Sequence, residues 1–237
     1  MTAMTTTSPQ ALLRLLQLTS PALPVGAYSY SEGLETLVEQ GVVTTPGAMV
    51  SWLEQELAYG MVAIDAAAVS IAHRRVSPLA AGGEIDGAAV ADLNLELSAR
   101  RDSEETRQQS WDMGRALVRM ATQLHPDLAS AFKAVGHPCN FALAFALVAA
   151  RWDIDERSAV LGYLHSWAAN LITSAVKLIP LGQTAGQSML LELYPALEEG
   201  CDRALATPDL ATLSVSSWGT SLAAMQHESL YTRLFRS

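Results

Sequence analysis

Apolar residues recur at intervals of three and four along most of the chain, most densely between Asp155 and Ala206. Val160, Leu164, Trp167, Leu171, Ala175 and Leu178 share one helical face, and Leu161, Ala168, Ile172, Val176 and Ile179 widen it beyond a narrow stripe. That pattern predicts a buried helix over Glu156 to Ile179, roughly 36 Å long at the α-helical rise. Asp155 caps its first turn, with Ser158 three residues on. Pro180 lacks the amide hydrogen needed to continue the helix, and Gly182 permits a reversal. A second apolar segment starts near Gln183 and carries Leu190, Leu191, Leu193, Leu197 and Leu205.

The same reading extends to both ends. Ser8-Pro9 and Thr45-Pro46 each place a cap before a helix-initiating proline. The first precedes Leu12, Leu13, Leu15, Leu16 and Leu18; the second precedes Met49, Trp52, Leu53, Leu57 and Met61. Further helices are predicted from about Ser29 to Gln40, from Asp65 to His73, around Val90 to Leu97, and from Asp102 with Glu105 as its capping partner. Others run from Pro126 to Val135, from His137-Pro138 to near Trp152, and from Trp218 to His227. No period-two alternation and no strand-helix-strand rhythm is present, so the fold class is all-α: a single-domain bundle of roughly ten helices over residues 8–227. Residues 1–7 read as disordered, Ser77 to Gly83 as a mobile loop, and Thr207 to Ser217 as linker or short turns.

Two segments do not fit the helical rhythm. Ser20 to Glu35 contains two prolines and Gly26 beside Leu23, Val25, Tyr28 and Tyr30, so it packs on the core or meets a partner. Tyr28 and Tyr30 are its partner-facing candidates. Residues 228–237 end the chain on apolar and basic side chains, which marks a docking tail.

Half of the 237 residues are hydrophobic and only 16% are charged, a composition that leaves apolar surface for a partner. The net charge of -9 argues against non-specific nucleic-acid binding. Cys139 and Cys201 form no CxxC pair, which suits a reducing compartment, and the N-terminus lacks the basic-then-apolar pattern of a secretory signal. The apolar run from Asn140 to Ala150 is shorter than a bilayer span and reads as a core helix, so no membrane association is expected. Arg100, Arg101, Arg107, Arg115 and Arg119 cluster in a chain poor in bases. They form either a salt-bridged solvent face or a surface for an acidic partner.

Catalytic patterns are missing. There is no G-x-S-x-G elbow, residues 182–186 lack the Gly-Lys-Ser/Thr ending of a phosphate loop, and His227-Glu228 is followed at position 231 by Tyr where a second zinc ligand would stand. The acidic pairs Asp153/Asp155, Glu104/Glu105 and Glu198/Glu199 each have a cap or solvent role available. His137 and Cys139 lie two apart, as a metal pair or as a capping histidine beside a buried thiol. Lys177, Gln183 and Gln187 are polar groups at a junction of apolar helices: they satisfy local carbonyls, or they line a groove or channel. The residues alone give an all-α interaction protein; an orphan metal-dependent hydrolase on a helical bundle is the competing class and needs a cluster of His, Asp or Glu ligands.

Four pieces, in order, carry a resemblance over nearly the whole chain, from Leu12 to Ser237. They are Leu23-Pro-Val-Gly-Ala-Tyr-Ser-Tyr-Ser-Glu-Gly-Leu-Glu35, Trp111-Asp-Met-Gly-Arg115, Lys177-Leu-Ile-Pro-Leu-Gly-Gln-Thr-Ala-Gly-Gln187 and His227-Glu-Ser-Leu-Tyr-Thr-Arg-Leu-Phe-Arg-Ser237. The chain resembles the UreF family of urease accessory proteins. The resemblance implies a cytoplasmic, all-helical homodimer without enzymatic activity or resident cofactor, which joins UreD (also called UreH) and the GTPase UreG to deliver nickel to apo-urease. Nickel is the cargo, and two mechanisms stay open: a scaffold and checkpoint for UreG, or also a conduit for transient passage of the ion. The tail is implied as the UreD contact, with Tyr231, Leu234 and Phe235 as apolar anchors and Arg233 and Arg236 as their rim. Lys177, Pro180, Gly182, Gln183 and Gln187 are implied near the dimer or UreG-facing surface.

Overall fold

The structure, a computed structural model, describes residues 8–78 and 85–236. The expected disorder of residues 1–7 and most of the loop expected at 77–83 lie outside the described residues. Those residues form twelve α-helices and no strand. In chain order they are α1 (Pro9–Leu18), α2 (Leu34–Glu39), α3 (Pro46–Tyr59), α4 (Met61–Val76), α5 (Gly87–Ala99) and α6 (Glu104–Leu124). The second half holds α7 (Leu128–Val135), α8 (Phe141–Arg151), α9 (Glu156–Leu178), α10 (Gln183–Glu192), α11 (Tyr194–Ala206) and α12 (Trp218–His227).

The most enclosed elements are α4 and α8, which pack against each other. Every residue from Ala142 to Ala150 of α8 is buried, and its alanines let α4 and α6 approach closely. Helix α9 packs beside them with Tyr163 edge-on to Phe145 at a centroid distance of 5.3 Å, but it keeps Thr173 and Lys177 exposed. The widest apolar pattern in the sequence therefore belongs to a helix with one wet face. No helix among the described residues is long and apolar enough to cross a membrane.

Three predicted caps form as read: the side chains of Ser8, Thr45 and Asp155 accept from the amides of Ala11, Ala48 and Ser158. Other boundaries move. The helix expected from Ser29 to Gln40 is a short 3-10 turn at Ala27–Ser29 followed by α2, because Glu32 and Gly33 both take left-handed backbone, with φ 54 and 84. A Cβ on Gly33 would lie 2.9 Å from the Ala224 amide nitrogen, so α12 crosses the loop at closest approach there. Helix α6 is capped by Ser103, whose hydroxyl accepts from Thr106 N, while Asp102 instead accepts from Ser221 in α12. Helix α8 starts at Phe141 rather than at His137-Pro138. The single segment expected after Gln183 is two helices joined at Leu193, with Pro195 in the first turn of α11.

The arginine cluster divides. Arg100 pairs with Glu96 and donates to the carbonyls of Leu210 and Leu213, and Arg107 and Arg115 pair with Glu104 and Asp112. Arg101 is not on a solvent face: it is buried against Asp65 of α4 at 2.6 Å.

Candidate functional site

The turn between the proline-rich loop and α2 carries two carboxylates that point different ways, Glu32 inward and Glu35 toward the C-terminal tail. Glu32 Oε1 accepts from Gln109 Nε2 of α6 at 2.8 Å, and Oε2 accepts from Trp167 Nε1 of α9 at 2.9 Å. Behind it lie the Arg101–Asp65 pair and Tyr163. Burial pushes the Glu32 and Asp65 carboxyls up, with the Arg101 guanidinium opposing the rise, and it pushes the Tyr163 phenol well up. These groups line a cleft of about 220 Å³, together with Leu23, Tyr28 and Thr173. Glu56 reaches the same cleft, accepting from Ser217 and Thr220 of α12, and its carboxyl is likewise raised by burial.

Glu35 holds the tail. Its Oε1 accepts from the Leu234 amide at 2.6 Å; its Oε2 meets the Phe235 amide and His227 Nε2, each at 3.0 Å. The other ring nitrogen of His227 is 3.0 Å from Glu105, which also receives Arg233 Nη1 at 2.9 Å. The Arg236 amide donates to the Ser29 carbonyl at 2.8 Å. The tail thus crosses α2 and α6 and closes on the proline-rich loop.

Along that tail the expected partner-facing residues separate. Tyr231 is fully exposed and Leu234 largely so, whereas Phe235 is buried with the Lys177 ammonium 5.6 Å from its ring centroid. In the loop, Tyr28 is exposed and Tyr30 is buried. Phe235 and Tyr30 therefore pack inside this chain. Arg233 and Arg236 lie exposed at the edge of the tail. On α12, Trp218, Leu222 and Met225 follow one another at helical spacing on the face opposite buried Ala223, Ala224 and His227, and all three are exposed. With Tyr231 and Leu234, five large apolar side chains are exposed between the start of α12 and the tail.

At the other candidate region, Pro180 and Gly182 form the exposed link from α9 to α10, and Gln183 and Gln187 are exposed on α10. Gly186 between them is buried against Val176 and Ile172, which brings α10 onto α9. The two glutamines face solvent, so neither needs an internal partner. Cys139 is buried, donates to the Asn140 carbonyl, and has its thiol pushed up to about 12 by burial. No group of three or more His, Cys, Asp or Glu side chains among the described residues is placed to hold a metal ion.

Pattern reading passed over Glu32, Glu35, Asp65 and Glu56. For Asp65 a signal existed, an acid inside Ala63-Ile-Asp-Ala-Ala-Ala68, where a lone charge in an apolar helix needs a buried partner. Glu35 sits similarly between Leu34 and Leu37.

Comparison with known proteins agrees with the four sequence pieces. The UreF family model matches residues 43–194. The urease accessory protein UreF of a Nostoc species is 49% identical over 233 residues, covering 98% of this chain and 99% of that protein. Those of a Synechocystis species and of Alkalilimnicola ehrlichii are 46% and 39% identical, over 97% and 94% of this chain and 99% and 95% of their own lengths.

Proposed function

This chain belongs to the UreF family of urease accessory proteins, and we propose that it acts in urease maturation as the non-catalytic bridge between UreD and the GTPase UreG while nickel is delivered to apo-urease. In this reading it works in the cytoplasm as a homodimer, places UreG as a scaffold and checkpoint, and influences the timing of GTP hydrolysis. Nickel is handled as cargo of the assembly.

The observation that carries the bridging role is the exposed apolar surface of α12 and the tail. Trp218, Leu222, Met225, Tyr231 and Leu234 lie in water on one continuous stretch of chain. An aromatic-rich patch of that kind has the composition of an interface core, with Arg233 and Arg236 at its polar rim. We assign it to UreD. The α9–α10 corner, with exposed Lys177, Gln183 and Gln187, is the surface left for UreG or for a second copy.

Co-expression with UreD and UreG, followed by size-exclusion chromatography with light scattering, tests the assignment. Tyr231→Asp combined with Leu234→Asp should abolish the UreD complex and leave the free protein's own mass unchanged, and a chain ending at His227 should behave likewise. Retention of the UreD complex by both would remove the tail from the interface. For the other surface, Gln183→Ala should weaken UreG recruitment and urease activation; an unchanged value for both would discard that residue's role.

A further inference from the structure

The tail is held in an unusual way. Among its described side chains only Phe235 is buried, and Tyr231 and Leu234 point into water, so apolar burial fixes one of these residues. Other than through Glu35, the backbone of these residues bonds at its start to the end of α12, from Ser229 to Gln226 and from Leu230 to His227, and at its far end from Arg236 to Ser29. The conformation depends instead on a single carboxylate that receives two successive amides, Leu234 and Phe235, and a histidine ring. Glu35 is itself buried, and the His227 side chain is wholly buried. The ring bridges two carboxylates, lying 3.0 Å from Glu35 on one nitrogen and 3.0 Å from Glu105 on the other, and Arg233 meets Glu105 beside it.

We propose that Glu35 and His227 are positioning residues, a buried clasp that fixes residues 228–236 in the conformation that projects Tyr231 and Leu234 outward. The importance of that projection for docking rests on the UreD assignment above; the clasp itself does not. Removing the Glu35 carboxylate leaves two amides and a ring nitrogen without their common partner. The tail then loosens while the helical core, which shares none of these bonds, stays closed.

Amide hydrogen exchange on the full-length free protein reads this directly. In Glu35→Ala, exchange at Leu234 and Phe235 should accelerate about tenfold or more, the scale of a lost charge-assisted hydrogen bond, with the amides of α8 and α9 unchanged. His227→Gln should give the same local pattern. In the unmodified protein, the amides of Leu234 and Phe235 should already be protected from exchange, a measurement that needs no variant to fold. Equal protection of the two amides in Glu35→Ala, or their free exchange in the unmodified protein, overturns the clasp. Tyr231→Ala separates it from the interface: it should keep both amides protected while losing UreD. If Tyr231→Ala binds UreD undiminished with those amides protected, the docking assignment falls and the clasp stands.

Discussion

Glu32 combines two costly features, left-handed backbone at a non-glycine residue and a buried carboxyl. Strain of that kind amounts to about 1–3 kcal/mol and persists where surrounding contacts over-determine the conformation. Here the contacts are the indole of Trp167 and the amide of Gln109, which fix the carboxylate from two helices. The direction of its titration gives a test. Burial raises the folded-state pKa above the ordinary glutamate value of 4.5, so the folded chain keeps this proton to higher pH than the unfolded chain does. The stability contributed is complete below that ordinary value and is lost as pH rises through the raised one. In urea unfolding between about pH 4 and pH 8, Glu32→Gln should therefore flatten the decline of stability with rising pH. An unchanged slope would assign the decline to Asp65 and Glu56, whose carboxyls are also raised. Gly114, in one of the four resembling pieces, has a steric rather than electrostatic role. A Cβ there would stand 2.0 Å from the Cys139 carbonyl oxygen, which is backbone and cannot swing away. Gly114→Ala should lower stability by about 3 kcal/mol, the upper range for overpacking, as a shift in the denaturation midpoint.

At the scale of helices, the pair between Arg101 and Asp65 ties the α5–α6 turn to the middle of α4. Removing one partner leaves the other charge buried, so Arg101→Met should cost about 3–5 kcal/mol, and adding Asp65→Leu should recover much of it. A double-mutant cycle by chemical denaturation measures the coupling; additive losses would mean that the two charges are independently solvated. Helices whose ends depend on neighbours in sequence were legible in advance, as at Ser8, Thr45 and Asp155, because a cap and the amide it satisfies lie within three residues. The misplaced ends have causes remote in the chain. Helix α2 starts late because α12, some 190 residues on, crosses at Gly33, and α6 takes Ser103 as its cap, with Asp102 engaged by Ser221. The regular interior of a helix follows from periodicity; its boundary follows from whatever packs there. Asp65 was visible as a charge in an apolar run, yet its partner Arg101 had no pattern to announce it.

Across the whole molecule, the two ends of the reading meet at the tail. The last ten residues were recognisable as a docking segment from their side chains, but which of them dock inward was not, since an irregular segment has no period to divide its faces. The structure separates neighbours: Leu234 is exposed, and Phe235 is buried beneath Lys177 of α9, so the tail reaches the same helix that leads into the α10 corner. That adjacency links the surface assigned to UreD with the surface assigned to UreG through one aromatic ring. Burial of a phenylalanine side chain contributes about 1.5–3 kcal/mol, comparable with what the Glu35 bonds hold, so Phe235→Ala should release the tail from α9. Leu234→Ala exposes no new cavity and should leave the tail in place. The expected contrast is that Leu234→Ala weakens capture of UreD alone, whereas Phe235→Ala weakens capture of UreD and also of UreG in a pull-down from co-expressed components. If Phe235→Ala affects UreD and leaves UreG recruitment unchanged, the two surfaces act independently and Lys177 belongs to the tail's packing alone.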